Sequence, residues 1–81
     1  MTIDSIAEYD PELIILDGLD DAIIGIVERS DFCAIVYDTE KIITILIQRD
    51  KMDRSDAMDF FYYNIHCLYA GEKTPVFLFK Q

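Results

Sequence analysis

The sequence predicts a single α+β domain: a small antiparallel sheet with a helix pair packed on one face, its elements in the order β-β-β-α-α-β. Three observations lead there. Short β-branched runs in the first half are separated by Asp17-Gly18 and Ser30-Asp31, both turn signals. The middle switches to apolar residues at helical spacing. After Gly71 and Pro75 the chain returns to a short apolar run. Its 81 residues leave room for one core. Hydrophobic residues supply 52% of them, too many for a disordered segment and more than so small a domain hides easily.

Residues 1–11, with scattered acids and Pro11, read as an N-terminal arm, and 12–81 as the domain. "ELIIL" (12–16) is read as a first strand running into an Asp17-Gly18 hairpin. "AIIGIVER" (22–29) is apolar at both parities, as in a central strand covered on both faces; Gly25 inside it suggests a bulge or a close approach. Ser30-Asp31 then turns the chain into "FCAIVY" (32–37).

Asp38 is a good N-cap, and Ile42, Ile43, Leu46 and Ile47 recur at helical spacing, so 39–50 is read as a helix. The run "IITILI" is β-branched enough to suit a strand as well. Asp53 and Asp56 open a second helix like a weak capping box, and Gly71 closes it. Pro75 cannot continue a helix, and "VFLFK" (76–80) is the closing strand. The open face of such a sheet would be apolar, which points to a partner, including a second copy.

Net charge is −9 and uneven. Residues 1–40 carry eleven acids and one base, residues 41–81 five acids and six bases. A phosphate-binding surface needs a basic stripe, so direct nucleic-acid binding is not expected. An acidic face suits a basic protein surface instead. No apolar run approaches the ~20 residues of a membrane span, and the start has no signal-peptide pattern; a cytoplasmic protein with reduced, buried Cys33 and Cys67 is expected.

Asp17, Asp20 and Asp21 offer carboxylates that suit a hard cation, but the loop lacks the spacing of an EF-hand, and turn chemistry explains Asp17-Gly18. No metal and no cofactor are expected. On a regular second helix Asp59, Tyr62, His66 and Tyr69 share one stripe, and Ala57, Phe61, Asn64 and Leu68 another. The first, with the three aspartates, is read as an interaction surface, because tyrosine is large, rigid and amphipathic. The second is read as core, with Asn64 a buried amide tying down a loop. A ligand pocket between helices and sheet would involve Tyr37, Asn64 and Thr74. His66 and Cys67 are adjacent and diverge by about 100° on a helix, too far to share one zinc or act as a nucleophilic pair. No catalytic constellation converges, so an enzyme is not expected.

"VYDTEKIITIL", Met52, "AMDFFYYN", "GEKTPVFLF" and "LDGLDDAIIGI" together resemble a family of small uncharacterised proteins encoded by tailed phages, over roughly 13–79. The resemblance implies a phage accessory protein acting in a bacterial cytoplasm. It draws notice to Tyr37, Asp38, Asn64, Glu72 and Thr74 as matching residues that are not obviously structural. A folding role is an equal alternative for each: Asp38 as a cap, Thr74 before the Pro75 strand entry, Asn64 as a buried tie. The expected function is a small acidic non-enzymatic protein that binds a host or phage protein, with a homodimer as the expected assembly. The alternatives are a small-ligand binder and an acidic DNA mimic.

Overall fold

Ser30 and Asp31 turn the chain between β1 (Ile23–Arg29) and β2 (Phe32–Asp38), which pair antiparallel from Arg29↔Phe32 back to Ile23↔Tyr37. The structure, a computed structural model, describes residues 6, 8–68, 71 and 73–80. The β1–β2 register slips between Ile23 and Gly25. No atom lies within 4 Å of where a Gly25 Cβ would sit, so this glycine serves a bulge and not a close approach.

Two helices follow β2. Helix α1 (Thr39–Asp50) begins at Asp38, whose carboxylate accepts the Lys41 N–H at 3.3 Å. The helical reading of 39–50 therefore holds despite its β-branched run, because Ile42, Ile43 and Leu46 all bury on one face. Helix α2 (Arg54–Phe60) begins at Asp53, which accepts the Asp56 N–H at 2.8 Å, and runs on as a π-helix over Phe61–His66. Strand β3 (Val76–Leu78) then joins β2.

The fold is α+β, with helices between the second and last strands as expected, but three details differ. The sheet is mixed: the helical crossover brings β3 back parallel to β2, from Val36↔Val76 to Asp38↔Leu78. Its order is β1-β2-β3, so β2 is central and 22–29, read as a central strand, lies at an edge. Residues 12–16 form no strand. Their apolar side chains join the core from an irregular loop, Leu13 fully and Leu16 in part, and Tyr37 Oη accepts the Leu16 N–H that a strand would have paired. Gly18 has the positive φ expected of Asp-Gly, +80°, yet it leads into a 3₁₀ turn at Asp20–Ala22 and not across a hairpin.

The core lies between one sheet face and the helices. Ile35 and Tyr37 of β2 meet Ile42, Ile43 and Leu46 of α1 and Ala57, Phe61 and Ile65 of the second helix. Ile6 is also fully buried in this core, and Glu8 and Tyr9 are helical. Tyr9 Oη donates to the Glu28 carboxylate, and Asp10 pairs with Lys73, which carries that segment across to the far end of the chain. Among the described residues no helix is long and apolar enough to cross a membrane.

Candidate interaction surface

The π-helix decides which side chains reach the surface. On a regular helix Ala57, Phe61 and Asn64 would share a face. The wider turn of a π-helix takes more residues to come round, so three steps from Phe61 fall short of a full turn and swing Asn64 off that face. Ile65, four steps on, stays over Phe61, and the buried positions are Ala57, Phe61 and Ile65. Asn64 is thereby exposed, its Nδ2 donating to the Phe60 carbonyl at 3.2 Å, and Leu68 is 43% exposed. The expectation of a buried Asn64 tie is corrected: a helical amide within its own helix's reach needs no core partner. Cys67, expected buried, is exposed as well, its Sγ donating to the Tyr63 carbonyl at 2.9 Å; Cys33 is half-buried and both thiols are free.

One flank of the π-helix carries an aromatic seam. Alternation along "VFLF" sends Phe77 and Phe79 to the helix side of β3, with Phe77 opposite Tyr37. Phe79 stacks on Tyr62 with ring centroids 6.4 Å apart and planes 16° from parallel. His66 lies over the same rings, 5.2 Å from Tyr62, 5.8 Å from Phe77 and 6.1 Å from Phe79. Phe61 meets Phe77 edge-on at 5.2 Å and roots the seam in the core. Tyr62 and Phe79 remain 41% and 45% exposed. Sequence reading found Tyr62 and His66; Tyr69 lies outside the described residues. It missed Phe79, which the strand alternation signals.

The opposite flank holds a groove of about 260 Å³. Leu16 and Leu19 of the loop, Leu46 of α1, and Phe60 and Ile65 wall it, with Asp17, Arg49 and Asn64 at the rim. Arg49 fastens the loop by donating from Nη1 to the Gly18 carbonyl at 3.0 Å. A Cβ on Gly18 would sit 2.6 Å from that Nη1, a second reason for glycine there. Asp50 takes Nε and Nη2 of the same guanidinium at 3.0 Å each and holds it charged, with Asp17 adding to the effect.

Asp17, Asp20 and Asp21 are exposed on this second flank, away from Tyr62 and His66 of the aromatic seam, so these residues, read as one surface, divide between two. Among the described residues no group of three or more His, Cys, Asp or Glu is placed to hold a metal ion. The expected ligand pocket does not form either. Tyr37 is fully buried with its hydroxyl bonded to Leu16, Asn64 rims the groove just described, and Thr74 lines a separate hollow beside Phe32 and Pro75. Tyr37 points into the core and Thr74 precedes β3 at the turn end of the sheet, so the three cannot converge. Asp38, singled out with them, has a structural duty: it caps α1 and binds Lys80 Nζ at 3.0 Å. Glu72 lies outside the described residues.

No family model, no curated protein and no solved structure matches this chain.

Proposed function

We propose that this chain is a small non-enzymatic interaction module that docks a protein partner through the aromatic seam. The stacked Tyr62–Phe79 pair carries the reading: two large rings pack on each other and against Phe61 and His66 and yet stay about half exposed. Preordered aromatic side chains lose little entropy on binding and are enriched at the centres of interfaces. The likeness of its motifs to small tailed-phage proteins supports a partner among host or phage proteins of an infected bacterial cell.

The experiment is affinity capture with Tyr62→Arg and Phe79→Arg against the unaltered chain, each variant first shown to fold by its amide NMR spectrum. Partners retained by the unaltered chain and lost by both variants support the reading. Identical capture by all three chains refutes it.

A second reading, a homodimer, is favoured by the sheet face turned away from the helices. Val27, Val36, Val76 and Leu78 alternate onto it around a fully buried Ala34, with Val27 37% and Leu78 43% exposed. Sedimentation equilibrium at micromolar concentration tests it: a monomer removes it. A DNA mimic is supported only by the exposed acids, and binding that survives ~0.5 M salt would sink it.

A further inference from the structure

We infer that the groove between the Leu16–Leu19 loop, α1 and the π-helix is an anchor pocket for a basic segment of a partner protein, one that presents a large apolar side chain flanked by lysine or arginine. Small size together with an open side favours a single side chain over an enclosed metabolite. Small-molecule pockets run to about 300–1,000 Å³, whereas this one holds about 260 Å³ and is open along one side. That is room for one large side chain. Its walls suit such an anchor, since Leu16, Leu19, Leu46, Phe60 and Ile65 present only hydrocarbon.

Charge complementarity selects what flanks the anchor. Arg49 is the basic group on the rim, and Asp50 already neutralises it through two hydrogen bonds. Asp17 on the rim shares that one cation, so with Asp20 and Asp21 exposed on the turn just after Leu19 the mouth of the groove keeps a negative excess. An apolar hole beside an excess of carboxylates is matched by an apolar side chain between cations, and like-charged partners are repelled. The groove is lined by Phe60 and Asn64, while the aromatic seam uses Tyr62 and His66. Positions two apart on a helix face nearly opposite ways, so the two surfaces are separate and each can fail alone.

The test uses the full chain and a fluorescein-labelled amphipathic peptide of leucine and lysine, beside a peptide of equal charge with alanine for leucine. Amide NMR shifts map the contact, and anisotropy gives affinity. Expected are shifts over Leu16–Asp21, Leu46–Asp50 and Phe60–Ile65, and much weaker binding of the alanine peptide. Asn64→Arg, which sets a cation in the groove mouth, and Asp20→Lys should each weaken binding by about tenfold. Tyr63→Arg adds the same charge at a site 77% exposed and outside the groove lining, and should change affinity by less than about threefold. Equal affinity for both peptides, equal weakening by Tyr63→Arg, or no binding overturns the inference. Shifts confined to Tyr62, His66 and Phe79 overturn it too, while leaving the aromatic docking surface intact.

Discussion

The backbone N–H of Leu16 donates to Tyr37 Oη at 2.8 Å, tying an irregular loop to the central strand from inside the core. Tyr37→Phe keeps the ring and strands that donor, which costs about 1–3 kcal/mol in urea unfolding. Burial pushes the Tyr37 phenol above its ordinary value of 10.0. A raised folded value means the stabilisation is intact below pH 10.0 and is lost as pH climbs from there through the folded value. The unaltered chain should therefore lose stability above pH 10 more steeply than Tyr37→Phe; parallel alkaline curves would show that the hydroxyl is not buried as described.

Asp38 couples the start of α1 to the end of the chain, accepting from Lys41 N–H and from Lys80 Nζ. Asp38→Ala loses the cap and should cost about 1–2 kcal/mol at pH 7. Asp38→Asn retains a capping oxygen and should cost less, because Lys80 is 63% exposed and its pairing is screened. The Lys80 contact, ahead of the Lys41 N–H, holds the Asp38 carboxyl below its ordinary value of 3.8. The stabilisation is thus present above pH 3.8 and lost as pH falls through the lowered folded value. Acid unfolding of the unaltered chain and of Asp38→Asn should converge in that window; a constant gap down to the acid limit would exclude the charge as its source.

The π-helix predicts an asymmetry between neighbours. Ile65 is 9% exposed and packs in the core, whereas Asn64 is exposed. Ile65→Ala should cost about 2–4 kcal/mol and Asn64→Ala under about 0.5. On a regular helix Asn64 would flank Phe61 in the core beside Ile65, and its truncation would cost about 1–3 kcal/mol as well. Denaturation midpoints of the two variants decide between these geometries.

These cases show which features local chemistry makes legible. Both helix starts are readable because Asp38 and Asp53 act on donors three residues ahead. The β1–β2 turn is readable because two polar residues separate two apolar runs. The loop at 12–16 is not: its β-branched composition is that of a strand, and only the distant Tyr37 hydroxyl satisfies Leu16 without one. The direction of β3 is equally hidden, since an apolar run pairs in either sense. At the site, Tyr62 and His66 keep one stripe under both helix geometries and were legible. Asn64 was misplaced because nothing in "FYYNIH" announces a wider turn.

Lys51 closes α1 with φ +61° and ψ +29°, the left-handed conformation, where the chain must reverse in two residues to reach the Asp53 cap of α2. A side chain there costs about 1–2 kcal/mol, and glycine avoids that cost while losing about 0.5–1 kcal/mol more to unfolded-state freedom. Lys51→Gly should therefore stabilise the fold, by up to about 1 kcal/mol in urea unfolding. Lys51→Ala separates strain from charge: it removes the ammonium but keeps Cβ, so its stability should stay within about 0.5 kcal/mol of the parent. If alanine stabilised as much as glycine, relief of backbone strain would be the wrong explanation, and the lysine charge beside the helix end would be the source.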